Sequence, residues 1–245
     1  MATEVFSRYE KKYLINQQTY EQLLKHLEEY LVEDSYCMEG GFYNICNIYY
    51  DTVNDELIRN SIEKPIYKEK LRLRSYGTPI LTDKVFLEIK KKYKGIVNKR
   101  RTILPLEQAY SFIEHKQINL QPGMNKQIVD EITYFLNMYQ VYPKLYLAYD
   151  RRAFFGREDK NLRVTFDKNI RTRRYDLALE AGDYGSPLID DNLWLMEIKV
   201  NFAMPIWLTS IISECNIFPT SFSKYGTEYK QIYIKRGERK CLSQY

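Results

Sequence analysis

Alternation with a period of two runs through most of this chain. Over residues 68–74, Lys68-Glu69-Lys70-Leu71-Arg72-Leu73-Arg74, an extended strand puts Lys68, Lys70, Arg72 and Arg74 on one face and Tyr67, Glu69, Leu71 and Leu73 on the other. Residues 84–92 repeat the parity, with Val85, Leu87 and Ile89 opposite Phe86, Glu88, Lys90 and Lys92. In 5–14, Arg8, Glu10 and Lys12 share a face against Tyr9, Lys11 and Tyr13; in 162–170, Arg163, Thr165 and Asp167 oppose Leu162, Val164 and Phe166. Residues 192–200 put Glu197 and Lys199 on the face of Leu193 and Leu195, and 44–51, 96–104 and 143–155 also read as strands. Helical spacing predicts helices over 17–32, through Leu23, Leu24, Leu27 and Leu31, and over 106–115, 125–140, 204–215 and 227–234. Asp51-Thr52 is placed to cap a short helix over 53–60.

Strands with an apolar face opposite a charged one, interspersed with helices, predict an α+β fold on an antiparallel sheet. Two architectures satisfy the pattern. In a sandwich the apolar faces meet and the charges point to water. In a closed barrel with helices packed outside, the charged faces line a tunnel, and every helix has a sheet face to cover.

Composition narrows the class. The chain has 245 residues, 44% hydrophobic and 28% charged, which excludes a disordered chain and allows a substantial core. A net charge of +5 is too small for a general nucleic-acid coat, and no aromatic side chains interleave with the basic strand positions as stacking platforms, so no nucleic-acid partner is expected. Cys37, Cys46, Cys215 and Cys241 form no Cys-x-x-Cys pair, so neither a zinc site nor a disulfide framework is expected. The charged start MATEVFSRYEKKY does not read as a signal peptide and no apolar run reaches the length of a membrane span. The expected setting is cytoplasmic, with peripheral attachment at the inner face of a membrane left open. No linker or fixed-period repeat divides the chain.

Same-face cations on one strand lie about 6.5 to 7 Å apart, within reach of one extended polyanion such as a triphosphate. A surface lined by them repels itself unless an anion fills it, and Glu10, Glu88 and Glu197 are candidate ligands for a divalent ion against phosphate oxygens. That combination suits phosphoryl transfer, in which positioning and charge neutralisation do most of the work. The plainer readings are that these glutamates only pair with neighbouring cations, that Arg100, Arg101, Arg152, Arg171, Arg173 and Arg174 are rim or surface charges, and that Asp51 is a helix cap. His26 and His115 fall on scaffold helices and carry no predicted chemistry.

One set of motifs carries a resemblance. Arg8-x-Glu10-x-Lys12-Tyr13, Ile48-Tyr49-Tyr50-Asp51, Lys70-Leu71-Arg72-Leu73-Arg74-Ser75-Tyr76-Gly77, Phe86-Leu87-Glu88-Ile89-Lys90, Tyr149-Asp150-Arg151, Arg163-Val164-Thr165-Phe166-Asp167, Met196-Glu197-Ile198-Lys199 and Ser223-Lys224-Tyr225 occur in order over nearly the whole chain. Together they resemble the VTC domain, the polyphosphate polymerase domain of the vacuolar transporter chaperone complex, within the triphosphate tunnel metalloenzyme (CYTH-like) superfamily. The resemblance implies that residues 1–245 are one antiparallel eight-stranded β-barrel, with helices outside and a C-terminal helix at the tunnel. It implies a polymerase that moves the ATP γ-phosphate onto polyphosphate; a triphosphate hydrolase and a non-catalytic polyphosphate-binding module are the alternatives. Lys12, Arg72, Arg74, Lys90, Arg151, Arg163, Lys199 and Lys224 would be the catalytic phosphate grips, and Lys70, Lys99, Arg8, Ser223 and Tyr50 would bind substrate. Glu197, supported by Glu10 and Glu88, would hold Mn²⁺ or Mg²⁺. A membrane-protein partner would serve product export. Arg8 departs from the hydrolytic and cyclase branches, which carry a glutamate there, and this points away from a two-metal triphosphatase.

Overall fold

The computed structural model describes residues 9–37, 41–94 and 96–242, with side chains through 233. Its strands are β1 (Tyr9–Asn16), β2 (Leu31–Glu33), β3 (Tyr43–Asp51), β4 (Tyr67–Tyr76), β5 (Lys84–Tyr93), β6 (Ile96–Pro105), β7 (Tyr142–Gly156), β8 (Arg163–Arg173), β9 (Ser186–Pro187) and β10 (Leu193–Val200). The helices are α1 (Gln17–Leu27), α2 (Glu56–Ile62), α3 (Leu106–His115), α4 (Lys126–Met138), α5 (Ile206–Glu214) and α6 (Lys224–Leu242). Eight strands form one antiparallel sheet in the order β1-β10-β8-β7-β3-β4-β5-β6, with β2 added to β7 and β9 to β8.

Period-two alternation decides which face each strand buries. Leu71, Leu73, Val85, Leu87 and Ile89 pack with α3 and α4 residues such as Phe112, Ile132 and Phe135. On the other half, Tyr13, Val164, Phe166, Trp194, Met196 and Ile198 pack under Leu23 and Leu27 of α1 and Leu208, Ile211 and Ile212 of α5. Each such side chain contributes about 1.5–3 kcal/mol by leaving water. α1, α3, α4 and α5 therefore cover one side of the sheet; on the other, α2 and α6 pack over Ile45, Leu145, Leu147, Tyr149 and Leu195 and the charged positions keep the rest.

That charged face closes on itself. Lys90 of β5 is solvent-exposed, yet it lies within the field of Glu10 and Lys12 on β1 and of Glu197 and Lys199 on β10. A side chain meets both conditions only in a hollow, so the sheet curls until β5 faces β1 and β10. Closure through hydrogen bonds, as the barrel reading requires, is not reached: the sheet path ends at β1 and β6, which do not pair among the described residues. The backbone between α5 and α6 takes part of that place, Thr220 N donating to Lys12 O at 2.7 Å.

The predicted helix over 17–32 ends early. Asn16 Oδ1 caps its start by accepting from Thr19 N at 2.8 Å, but Leu31–Glu33 leaves the helical pattern to pair with β7. Long-range pairing overrides local periodicity there. Asp51 does act as a cap: fully buried, it accepts from Leu57 N and Ile58 N of α2, each at 2.9 Å, and from the Tyr225 hydroxyl of α6 at 3.1 Å. Asp51→Ala is therefore expected to lower the unfolding free energy by about 2–3 kcal/mol in chemical denaturation, more than an exposed cap would cost.

Candidate functional site

The hollow is lined by residues that the ladder places side by side. Lys12 stands opposite Glu197, and Glu10 opposite Lys199; Thr165 stands opposite Glu197 on the other side, and Arg151 opposite Asp167. Across β4, β5 and β6, Arg72 faces Glu88 and Lys70 faces Lys90, while Glu88 faces Arg101 and Lys90 faces Lys99.

Two carboxylate centres organise these cations. Glu197, 6% exposed, has Lys199 Nζ at 2.9 Å, Lys12 Nζ at 3.2 Å, Lys224 Nζ at 3.5 Å and Arg151 Nη2 at 3.7 Å. Burial alone would raise its carboxyl, but those four cations hold it well below the usual range. Asp167 is wholly buried beside it. It accepts from Arg151 Nε at 2.6 Å and Nη2 at 2.7 Å, and from Lys224 Nζ at 2.6 Å. Lys224 is the first residue of α6, so this contact ties the C-terminal helix to the sheet. Glu10 joins the group through Lys12 at 3.3 Å and Lys199 at 3.8 Å.

The second centre is Glu88, 2% exposed. Arg72 Nη2 and Lys99 Nζ each lie 2.5 Å from it and Arg74 Nη1 lies at 3.7 Å. Here too burial is overridden, and Arg72, Lys99 and Arg74 keep the carboxyl ionised. Arg163 reaches Asp34 and the Tyr43 hydroxyl, both at 3.3 Å.

Lys70 and Lys90 sit between the centres with no carboxylate within ion-pair distance among the described residues. Burial, then the charges of Lys90, Lys68 and Lys12, bring the Lys70 ammonium down to about 7. Burial likewise brings Lys99 to about 7 in spite of Glu88. Several polar atoms along the same face are buried without a hydrogen-bond partner among the described residues: Thr165 Oγ1, Arg74 Nε, Arg163 Nε and Asn47 Oδ1. Such groups cost about 1–3 kcal/mol each unless a ligand meets them.

The lowered Lys70 sets a direction with pH. The unfolded lysine keeps its proton up to about 10.5 and the folded one loses it near 7, so the unfolded state binds more protons between these values. Lys70 thus makes the empty protein more stable as pH rises from 7 towards 10. The expected result is that Lys70→Met flattens this rise in a series of thermal melts; an unchanged slope would refute it.

Most predicted residues converge on the hollow, with three exceptions. Arg8 lies outside the described residues. Tyr50 is on the helix-facing side, packed in the core with Leu57 and Tyr146, whereas its neighbour Tyr49 faces the hollow and accepts from Arg72 Nη1 at 3.2 Å. Ser223 is exposed, and its Oγ accepts from Gly226 N at 3.2 Å as the cap of α6. Its part is to start the helix that delivers Lys224. The three predicted metal ligands divide. Glu88 is locked to its own cations, and no group of three or more His, Cys, Asp or Glu side chains gathers among the described residues. Glu10 and Glu197 lie close enough to feel each other's charge and share Lys12 and Lys199. Two hard oxygen donors of this kind fit Mg²⁺ or Mn²⁺, which take one or two carboxylates and complete their shell with water and phosphate.

Four lining residues escaped the sequence-based site. Asp167 and Tyr149 share strand faces with Arg163 and Arg151, a signal that parity offered. Arg101 lies across from Glu88 and stacks on Phe86 at 4.8 Å, while adjacent Arg100 turns outward to Glu131 at 3.3 Å. Tyr49 is the fourth.

Comparison with known proteins gives a consistent picture. The family model described as the VTC domain matches residues 7–233. Two curated proteins named vacuolar transporter chaperone complex subunit 4 are similar, at 22% identity in Trypanosoma cruzi and 23% in Trypanosoma brucei brucei. Each alignment covers 95% of this chain and 35% of the relative, so the chain spans about a third of their length. Among solved structures, a candidate adenylate cyclase from Bacillus halodurans superposes with a TM-score of 0.56 at 14% identity, over 90% of this chain and 96% of that one. A Hippeastrum adenylyl cyclase candidate, reported with a dominant triphosphatase activity, gives 0.52 at 14% identity over 92% and 96%. At these identities the likeness shows a shared fold.

Proposed function

The chain belongs to the VTC domain family, and from that premise we propose that its hollow is a polyphosphate polymerase site, moving the γ-phosphate of ATP onto the end of a polyphosphate chain. The observation that carries the reading is the surplus of inward cations. Lys70 and Lys90 lie side by side, near Lys12 and with no carboxylate within ion-pair distance among the described residues, an arrangement that is unfavourable until a polyanion enters.

The residues divide the work. Arg72, Arg74, Lys99 and Lys90 hold one stretch of phosphates, and Lys12, Lys199, Arg151 and Arg163 hold the other. Lys224 closes the site from α6. A terminal oxygen of the chain attacks the γ-phosphorus in line, the bond to the β-phosphate oxygen breaks, and ADP leaves. The charge that builds on the transferring oxygens falls on ammonium and guanidinium groups already fixed by Glu88, Asp167 and Glu197, so little reorganisation is needed at the moment of transfer. Glu197 with Glu10 would hold Mn²⁺ or Mg²⁺, which neutralises phosphate charge when bound. A phosphate entering between Glu10 and Glu197 would draw Lys12 and Lys199 from the carboxylates and free those oxygens. No protein nucleophile is required.

In this reading the domain works on the cytoplasmic side of a membrane, where a membrane-protein partner takes the product. No helix among the described residues is long and apolar enough to cross a membrane.

The test is incubation with γ-labelled ATP and Mn²⁺, with and without a short polyphosphate primer. A ladder of chains with ADP supports the polymerase. Free phosphate without chains makes the acceptor water and the protein a hydrolase, and intact ATP beside tight polyphosphate binding makes it a binding module.

A further inference from the structure

The cation row on β4 and β5 does not stop at the hollow. Beyond Lys70 and Lys90 the same strand faces continue to Lys68 and Lys92, which are direct cross-strand partners. Lys64 lies close enough to act on Lys68. Lys94 follows at the hairpin, its N–H bonded to Ile66 O at 2.9 Å. None of Lys64, Lys68, Lys92 and Lys94 has a carboxylate within ion-pair distance among the described residues. Lys68 is anchored by donating to Ser61 O at 2.9 Å, and Lys64, Lys92 and Lys94 are exposed. At the opposite end of the strands the cations are compensated, Arg163 by Asp34 and Lys199 by Glu197 and Glu10.

We propose that the Lys64, Lys68, Lys92 and Lys94 mouth is a binding track for the emerging part of a polyanion longer than a triphosphate, so that these lysines set the preference for long chains. The inference rests on the polyphosphate reading and adds the direction in which the chain leaves. From Arg74 to Lys68 the strand covers about 20 Å, more than a triphosphate spans, so a short ligand held at Glu88 and Glu197 leaves the mouth untouched. A rim of like charges attracts a small anion with the few contacts it can make, and one that bridges them all far more strongly, because each neutralised phosphate releases counterions.

The experiment compares binding of long-chain polyphosphate and of tripolyphosphate by calorimetry, in wild type and in Lys92→Glu/Lys94→Glu, whose side chains are exposed and unlinked to the core. Lys68→Gln serves as a second variant. The expected result is a loss of about tenfold for the long chain in the double variant, with a shallower salt dependence, against a change below about twofold for tripolyphosphate. Equal losses for both ligands, or none for the long chain, would overturn the track. Wild-type protein that binds neither ligand would bring down the polyphosphate reading itself, a result distinct from the other two.

Discussion

Glu197→Ala should stop phosphoryl transfer and at the same time make the empty protein depend on its ligand for stability. The carboxylate stands within 4 Å of Lys12, Lys199, Lys224 and Arg151. Without it, four cations share a space from which water is largely excluded. Removing one member of a buried ionic cluster costs about 3–5 kcal/mol because the remaining charges are left uncompensated. A polyanion restores the balance by mass action, so the rise in melting temperature on adding polyphosphate should be larger in the variant than in wild type. Turnover of labelled ATP should fall by at least about a hundredfold, in line with the loss of a charged group that organises the transition state. Full turnover would sink the role assigned to Glu197, and an unchanged melting temperature would sink the electrostatic account.

Asp167→Ala is expected to have the second largest effect, through α6. Asp167 is wholly buried and holds Arg151 with two hydrogen bonds and Lys224 with a third. Burial would raise its carboxyl, but Arg151 and Lys224 override this and keep it charged. Losing it should again cost about 3–5 kcal/mol in denaturant unfolding. The helix has other anchors: Tyr225 on Asp51, and Arg174 bound through two nitrogens to Glu228 at 2.8 and 2.7 Å. The first turn of α6, which loses Lys224 and keeps Tyr225, should therefore loosen more than the following turn, seen as a larger rise in amide exchange over wild type at Gly226 and Thr227 than near Glu228. Uniform exchange along the helix would contradict the latch. Because Lys224 also reaches Glu197, the variant should weaken turnover more than affinity for polyphosphate.

How far these groups could be found in the sequence depended on contrast between strand faces. Where one face is apolar and the other charged, as at Lys70-Leu71-Arg72-Leu73-Arg74 or Arg163-Val164-Thr165-Phe166-Asp167, alternation alone assigns every side chain, and the structure keeps that assignment. Asn44-Ile45-Cys46-Asn47-Ile48-Tyr49-Tyr50 has no such contrast. Both its faces are covered, by α3 and α4 on one side and by α6 on the other, so nothing in the pattern separates Tyr49 from Tyr50. Glu88 and Asp167 illustrate a different limit. Each carboxylate is defined by its cross-strand neighbours, Arg72 and Arg101 for one and Arg151 for the other, and register between distant strands is not written in local sequence. The two-residue β9 and the short β2 are likewise products of pairing partners, not of propensity.

The sheet's unpaired end at β6 has a consequence outside catalysis. A strand pairing on one side only offers its free backbone groups to any other chain, and such edges nucleate aggregation unless charge guards them. Among the described residues β6 pairs with β5 alone, and its middle carries Lys99, Arg100 and Arg101 in succession. This run of charge keeps one molecule from annealing to the next. Lys99 alone of the three is also a proposed phosphate grip, so neutralising all three would expose the edge through Arg100 and Arg101 as well as weaken the proposed site through Lys99.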